Sequence, residues 1–246
     1  MRIRLTYHHL RMQVREVVRA PGFLVPIFLF PSMFFMFFAY PTIETEQDAN
    51  LFLACYVLYA ILGVVFYLLL GEIADDHRNA WDDYLQTLPY GSWTRISGWF
   101  LTAAIAAVVA VVLLCITAFA STPVHLGIGQ WLLLLVVGMI GAIPHALLGA
   151  CIGYWIRPKF AYPAGNVVYF TLVYVGGLWT LPRGLPDWVD WFSSYVPTRM
   201  WGELAWAIVD GQRLPIFSAV GLLAYSILFG GLTVLGIQHY FRLRYR

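Results

Sequence analysis

Glu72, Asp75, Asp76, His77, Asp82 and Asp83 set five carboxylates and an imidazole within twelve residues of an otherwise apolar chain. Such a density of oxygen donors suits Mg²⁺, which is held by carboxylates together with substrate phosphates. Membrane prenyl- and phosphatidyl-transferases use acidic clusters in this way, although they repeat aspartates at fixed spacing, usually in two clusters or ahead of a Gly/Arg stretch. Here there is one cluster, and no second acidic set lies on the same membrane face. The same stretch also reads as a docking element. Trp81, Leu85 and Leu88 recur at helical spacing beside Asp82 and Asp83, and Pro89, Gly91 and Ser92 close the segment with turn chemistry. A short amphipathic helix within Glu72–Arg95 would seat a soluble partner. A solvated loop with no partner is the third reading.

A second polar stretch, Leu181–Pro215, carries Trp188, Trp191, Trp201, Trp206 and Tyr195. Trp and Tyr collect at membrane–water interfaces. Pro186 and Pro197 divide the stretch into two short helices, each too short to cross a bilayer, so both are expected to lie in or dip into the outer leaflet. An aromatic belt that only anchors helix ends is the alternative. Other chemistry is sparse. The sequence has no G-x-x-x-x-G-K-[ST] phosphate loop, no H-E-x-x-H and no G-x-S-x-G. His145, beside Pro144, is the one ionisable group deep in an apolar stretch, and it reads first as a neutral histidine bonded to a carbonyl. No chain of intramembrane Asp, Glu or Arg, expected of an ion-coupled carrier, is present.

What must position these groups is a set of six apolar stretches, at about 23–40, 50–71, 96–119, 130–155, 164–182 and 215–239. A helix of roughly 20 apolar residues covers a ~30 Å hydrocarbon layer. Pro26 and Pro31 interrupt the first, which spans tolerate when neighbours satisfy the freed backbone. Composition agrees: 61% of residues are hydrophobic and 11% charged, against about 25% charged in an average soluble chain. The fold class is an all-α polytopic membrane protein with six transmembrane helices, and residues 1–246 form a single domain. Gly149 with Gly153, and Ala103, Ala107 and Ala110, supply small faces for close helix packing. Cys55, Cys115 and Cys151 fall inside spans and read as packing residues.

Charge placement orients the chain. Twelve basic residues lie on one side: Arg2, Arg4, Arg11, Arg15, Arg19, Arg78, Arg95, Arg157, Lys159, Arg242, Arg244 and Arg246. Three, Arg183, Arg199 and Arg213, lie on the other. The positive-inside rule makes the first side, with both termini, cytoplasmic. Before the first span, Arg4, His8, Arg11, Arg15 and Arg19 recur at helical spacing opposite Ile3, Leu10, Val14 and Val17. That pattern predicts an interfacial helix on an anionic leaflet. Arg outnumbers Lys fourteen to one, which hints at a GC-rich bacterial genome.

These features together resemble the ABC-type 2 permeases, the membrane subunits of exporters for drugs, lipids and glycoconjugates. The resemblance covers the whole chain. It rests on the Arg-rich helix followed by RAPGFLVPIFLFP (Arg19–Pro31), on YLQTLP (Tyr84–Pro89), and on LPDWVDWFSSYVPTRMWGELAWAIVDGQ (Leu185–Gln212). Ala80-Trp81 and Gly98-Trp99 depart from the Gly-Thr and Gly-Lys often found there. The resemblance implies a permease subunit of a prokaryotic inner membrane, not itself an enzyme, that exports an amphiphilic or lipophilic substrate. It would bind no cofactor or metal, and ATP and Mg would belong to a partner ATPase subunit. A second permease copy and membrane lipid are the other implied partners, with no nucleic acid. Asp75, Asp76, Arg78, Trp81, Asp82, Asp83, Leu85 and Pro89 would couple to the ATPase, flanked by Arg4, Arg11, Arg15 and Arg19 of the interfacial helix. Trp188, Trp191, Pro197 and Trp201 would form an outer gate. Phe30, Phe34, Phe35, Phe37 and Phe38 either line a lateral path or are ordinary lipid-facing and packed surface. A Mg-dependent membrane transferase or a non-transport scaffold remain the alternatives.

Overall fold

The computed structural model describes residues 21–76 and 92–244. The basic N-terminal segment with Arg4, Arg11, Arg15 and Arg19 therefore lies outside the described residues. So do Arg78, Trp81, Asp82, Asp83, Leu85 and Pro89. Among the described residues the chain forms eight α-helices and no strand. In chain order they are α1 (Pro21–Phe34), α2 (Glu46–Asp76), α3 (Ser92–Ser121), α4 (Ile128–Trp155), α5 (Pro158–Val175), α6 (Asp187–Ser193), α7 (Pro197–Val209) and α8 (Ile216–Arg244). After Pro26 and Pro31, α1 runs on as a π turn, Phe35–Ala39, and a 3-10 turn, Tyr40–Thr42. Each proline removes one i→i−4 donor, and a shift of hydrogen-bond register downstream is a known way to absorb such local strain.

Five stretches are long and apolar enough to cross a membrane: Val25–Thr42, Glu46–Asp75, Gly98–Ser121, Ile128–Trp155 and Ile216–Tyr240. The stretch expected as a fifth span of six, 164–182, is not among them. Its helix, α5, ends at Val175, where Gly176 and a left-handed Gly177 (φ 69°) turn the chain. Lys159, Pro163 and Asn166 dilute the apolarity of its 18 residues. The two short helices expected between the prolines are present as α6 and α7, with Pro186 just ahead of the first and Pro197 opening the second. A proline at the first helical position gives up only a donor that was unpaired anyway.

α2 is the axis of the bundle, with 89% of its apolar window buried, whereas α1 and α8 each bury 17%. α3 and α4 flank α2, α1, α5 and α7 complete its circumference, and α8 packs outside against α4 and α7. Small residues allow the approach. Ala103, Ala107 and Ala110 of α3 are buried. A Cβ on Gly149 would run into the Phe66 carbonyl oxygen of α2, and one on Gly153 would press on Ile73. The outward faces stay apolar, with Ile116, Ile140, Val167, Leu223 and Ile227 all more than 60% exposed. A water-facing surface of that kind would be an association patch.

Gly149→Leu should therefore destabilise the purified chain by about 1–3 kcal/mol, the cost of overpacking a filled interface. Gly231→Ala, with nothing within 4 Å of the added carbon, should leave the thermal midpoint in detergent unchanged or slightly raised. Equal midpoints for wild type and Gly149→Leu would contradict the α2–α4 contact.

Candidate functional site

Four connections meet at one end of the bundle and are stitched together there by side chains. Asn50 at the start of α2 donates through Nδ2 to the His125 carbonyl at 3.0 Å and accepts from the His125 amide at 2.9 Å. Gln47 donates to Asp210 at 3.0 Å, and Arg183 forms an ion pair with Asp48. The last carbonyls of a helix have no partner within it, and the ends of α5 and α7 are answered by side chains. Thr198 donates to Leu172 O at 2.7 Å and Ser193 to Val175 O at 2.6 Å, closing α5. Gln130 donates to Ile208 O and Val209 O at 3.1 and 3.0 Å, closing α7, while its Oε1 accepts from the Gly127 amide.

α7 packs into the bundle. Thr198, Met200, Trp201, Leu204, Ala205 and Ile208 are buried, while Arg199, Glu203 and Trp206 form a partly exposed face. Trp201 is its anchor: the indole donates to Val137 O on α4 at 2.9 Å and stacks on His145 with centroids 4.8 Å apart. Gly141 makes the slot, because a Cβ there would overlap the indole. His145 Nδ1 lies 2.7 Å from Gly141 O, as expected of a carbonyl-bonded core histidine.

A charged network binds α7 to its neighbours. Arg199 is within 3.2 Å of Asp190 on α6 and 3.1 Å of Glu203 one turn on, and its guanidinium lies 5.2 Å from the Trp206 ring. Glu203 Oε2 accepts from Ser218 of α8 at 2.6 Å, and Trp206 Nε1 donates to Cys55 Sγ of α2 at 3.0 Å. Two turns of α7, from Arg199 to Trp206, thus contact α6, α8 and α2 through polar atoms. The i, i+4 spacing of Arg199 and Glu203 is a sequence signal for part of this network.

The four residues expected to form an outer gate divide between two environments. Trp188 and Trp191 of α6 are 73% and 80% exposed, whereas Pro197 and Trp201 are buried in the bundle. At the other end, Asp75 stands exposed on the last turn of α2 and Asp76 ends that helix; the rest of the expected coupling segment is outside the described residues. Among the described residues no three His, Cys, Asp or Glu side chains gather as a metal site.

An aromatic slot between α1, α2 and α5 went unrecognised in the sequence. Phe34 stacks on Trp179 at 5.6 Å and meets Tyr59 at 5.9 Å. Tyr169 meets Tyr59 at 5.9 Å and Tyr67 at 4.9 Å, and the Tyr67 hydroxyl donates to Asn166 at 2.6 Å. The phenylalanine run of α1 splits accordingly. Phe35 is core against Tyr56, Phe34 enters the slot, and Phe30, Phe37 and Phe38 face outward. Tyr162, Asn166 and Tyr169, at spacings of four and three, were the available signal.

No family model matches the chain. It is 21% identical over 221 residues to a protein of Bacillus subtilis (strain 168) described as "Putative transport permease YvfS", a likeness that covers 88% of this chain and 90% of that one. With five apolar helices of crossing length, that likeness places the chain in a bilayer. It is a multi-pass membrane protein. The likeness also supports the resemblance to the ABC-type 2 permeases, because it runs through nearly the whole length of both chains.

Trp201→Ala should cost about 3–5 kcal/mol, since it empties a fully buried site and removes the indole's bond to the Val137 carbonyl. Trp191→Ala, at an exposed position, should stay within about 0.5 kcal/mol of wild type. Thermal unfolding of both variants in the same detergent checks the contrast, and equal losses would contradict the assignment of buried and exposed tryptophans.

Proposed function

We propose that this chain is the membrane-spanning permease subunit of an ATP-binding-cassette exporter that moves an amphiphilic or lipophilic substrate out of the cytoplasm. The observation that carries the reading is the likeness to a transport permease along 88% of the chain. In this reading α5, continued by the turn at Gly176–Leu181, serves as the fifth of six membrane-crossing segments. The end of the bundle that holds α7 is external, and both termini are cytoplasmic in a prokaryotic inner membrane. The basic N-terminal segment lies along the cytoplasmic leaflet as an interfacial helix. Two copies, or this chain and a related one, pair with two ATPase subunits that supply ATP and Mg.

Force enters where α2 emerges. Asp75–Pro89 is the coupling segment, seated in a groove of the ATPase. Because α2 is packed on every side, a push on its cytoplasmic end is passed to α3, α4, α5 and α7 without a flexible joint. The aromatic slot between α1, α2 and α5 gives an apolar amphiphile ring surfaces along which to travel, with the Tyr67–Asn166 pair as its polar waypoint. α6 and α7 cap the exit.

The test is a tagged pull-down of the chain from native membranes, with partners identified by mass spectrometry. A near one-to-one ATP-binding subunit is expected. Replacing Asp82→Lys and Asp83→Lys together should abolish that co-purification while membrane insertion is retained. A chain that emerges alone contradicts the proposal. Mg²⁺-dependent turnover by the chain alone would point instead to a transferase using the acidic loop, and neither result to a scaffold.

A further inference from the structure

The end of the bundle remote from α7, where α4 stops, α5 begins and α8 ends, has a surface chemistry of its own. Trp155 closes α4, its indole N–H donates to Leu232 O of α8 at 2.9 Å, and its ring lies nearly parallel to His239 with centroids 5.5 Å apart. Gly236 permits that approach, since a Cβ there would press on both Trp155 and Tyr154. The indole is thereby fixed on three counts, yet 48% of the residue stays exposed. Phe160, also exposed, lies under the Lys159 ammonium at 5.6 Å.

Around this ledge stand cations without carboxylates on the same helices. Arg157 in the connecting turn, Lys159 in the first turn of α5 and Arg242, three residues beyond His239 on α8, are all exposed. Arg157 and Arg242 make no ion pair among the described residues. α4, α5 and α8 contain no Asp or Glu along their whole length. The acidic residues at this end among the described residues, Glu72, Asp75 and Asp76, belong to α2.

Exposed rings held rigidly beside unpaired cations fit neither water alone nor a dry protein interface. They match the boundary between acyl chains and phosphates, where indoles sit at head-group depth and Lys and Arg gain from negative lipid charge. We propose that this α4–α5–α8 corner binds the head group of an anionic phospholipid. Its phosphodiester is held by Arg157, Lys159 and Arg242, and its acyl chain runs over Trp155 and Phe160. The inference rests only on the membrane placement in the proposed function, not on a partner ATPase or on transport. The two are therefore tested separately.

Native mass spectrometry of the detergent-purified full-length chain, with phosphatidylglycerol or phosphatidylcholine added, resolves the first bound lipid. Phosphatidylglycerol should bind the wild type more tightly, with each surface cation contributing about fivefold. Combined Arg157→Gln, Lys159→Gln and Arg242→Gln should remove the preference, whereas Arg157→Lys with Arg242→Lys should keep it. Should the triple variant not fold, Arg157→Gln alone, at an exposed turn position, should still lower phosphatidylglycerol affinity about fivefold. Glycerol phosphate should not compete at lipid-saturating concentrations. Equal affinity of wild type for the two lipids, an undiminished preference in the Gln variants, or displacement of lipid by glycerol phosphate would overturn the proposal.

Discussion

A backbone N–H or C=O left without a partner in hydrocarbon costs several kcal/mol, and the least regular part of this structure is arranged around avoiding that cost. Between α5 and α8 the chain makes two turns, two short helices and a proline break, where helical bonding cannot serve every group. Side chains of the segment itself and of neighbouring helices take up the surplus. Thr198 and Ser193 close α5, Gln130 closes α7, and Asn50 fixes the turn at His125. These donors come from α2, α4, α6 and α7, so the irregular segment and the regular helices depend on one another for their geometry.

The same arrangement explains how a helix of 13 residues can stand inside a membrane bundle without crossing it. α7 has partners on four helices: α4 through Trp201, α2 through Trp206 and Cys55, α6 and α8 through Arg199 and Glu203. Two carboxylates flank its largely buried arginine, and both Glu203 oxygens are occupied. A charge so far removed from water is tolerated when it is paired. Movement of α2 would thus be felt at α7 directly, which is the physical link between a cytoplasmic push and an external exit in the proposed exporter.

Much of the architecture was legible because apolar runs and prolines are local signals. The breaks at Pro186 and Pro197, the small face of α3 and the Gly149–Gly153 contact all followed from spacing. The expected crossing at 164–182 did not emerge as such, since Val175 and the glycines after it end a helix that hydropathy alone would carry on to 182. Trp188, Trp191 and Trp201 could not be ranked, because an indole suits an interface belt and a packed core equally well. Only Gly141 and the Val137 carbonyl, some sixty residues earlier in the chain, decide that Trp201 goes inside. The slot of Tyr59, Tyr67, Tyr169 and Trp179 was hidden for the same reason, being assembled from separate helices.

The central claim is that α7 is an internal element rather than a helix lying on the outer leaflet. Cysteine substitutions at each position from Thr198 to Ile208, in a chain lacking the three native cysteines, can be probed in intact cells with a membrane-impermeant maleimide. The structure predicts protection at the buried positions Thr198, Met200, Trp201, Leu204, Ala205 and Ile208, with labelling at a cysteine placed at the exposed Asp210. Labelling at the Trp201, Leu204 or Ala205 positions as strong as that at Asp210 would mean the packed face of α7 is open to water, and would contradict the account.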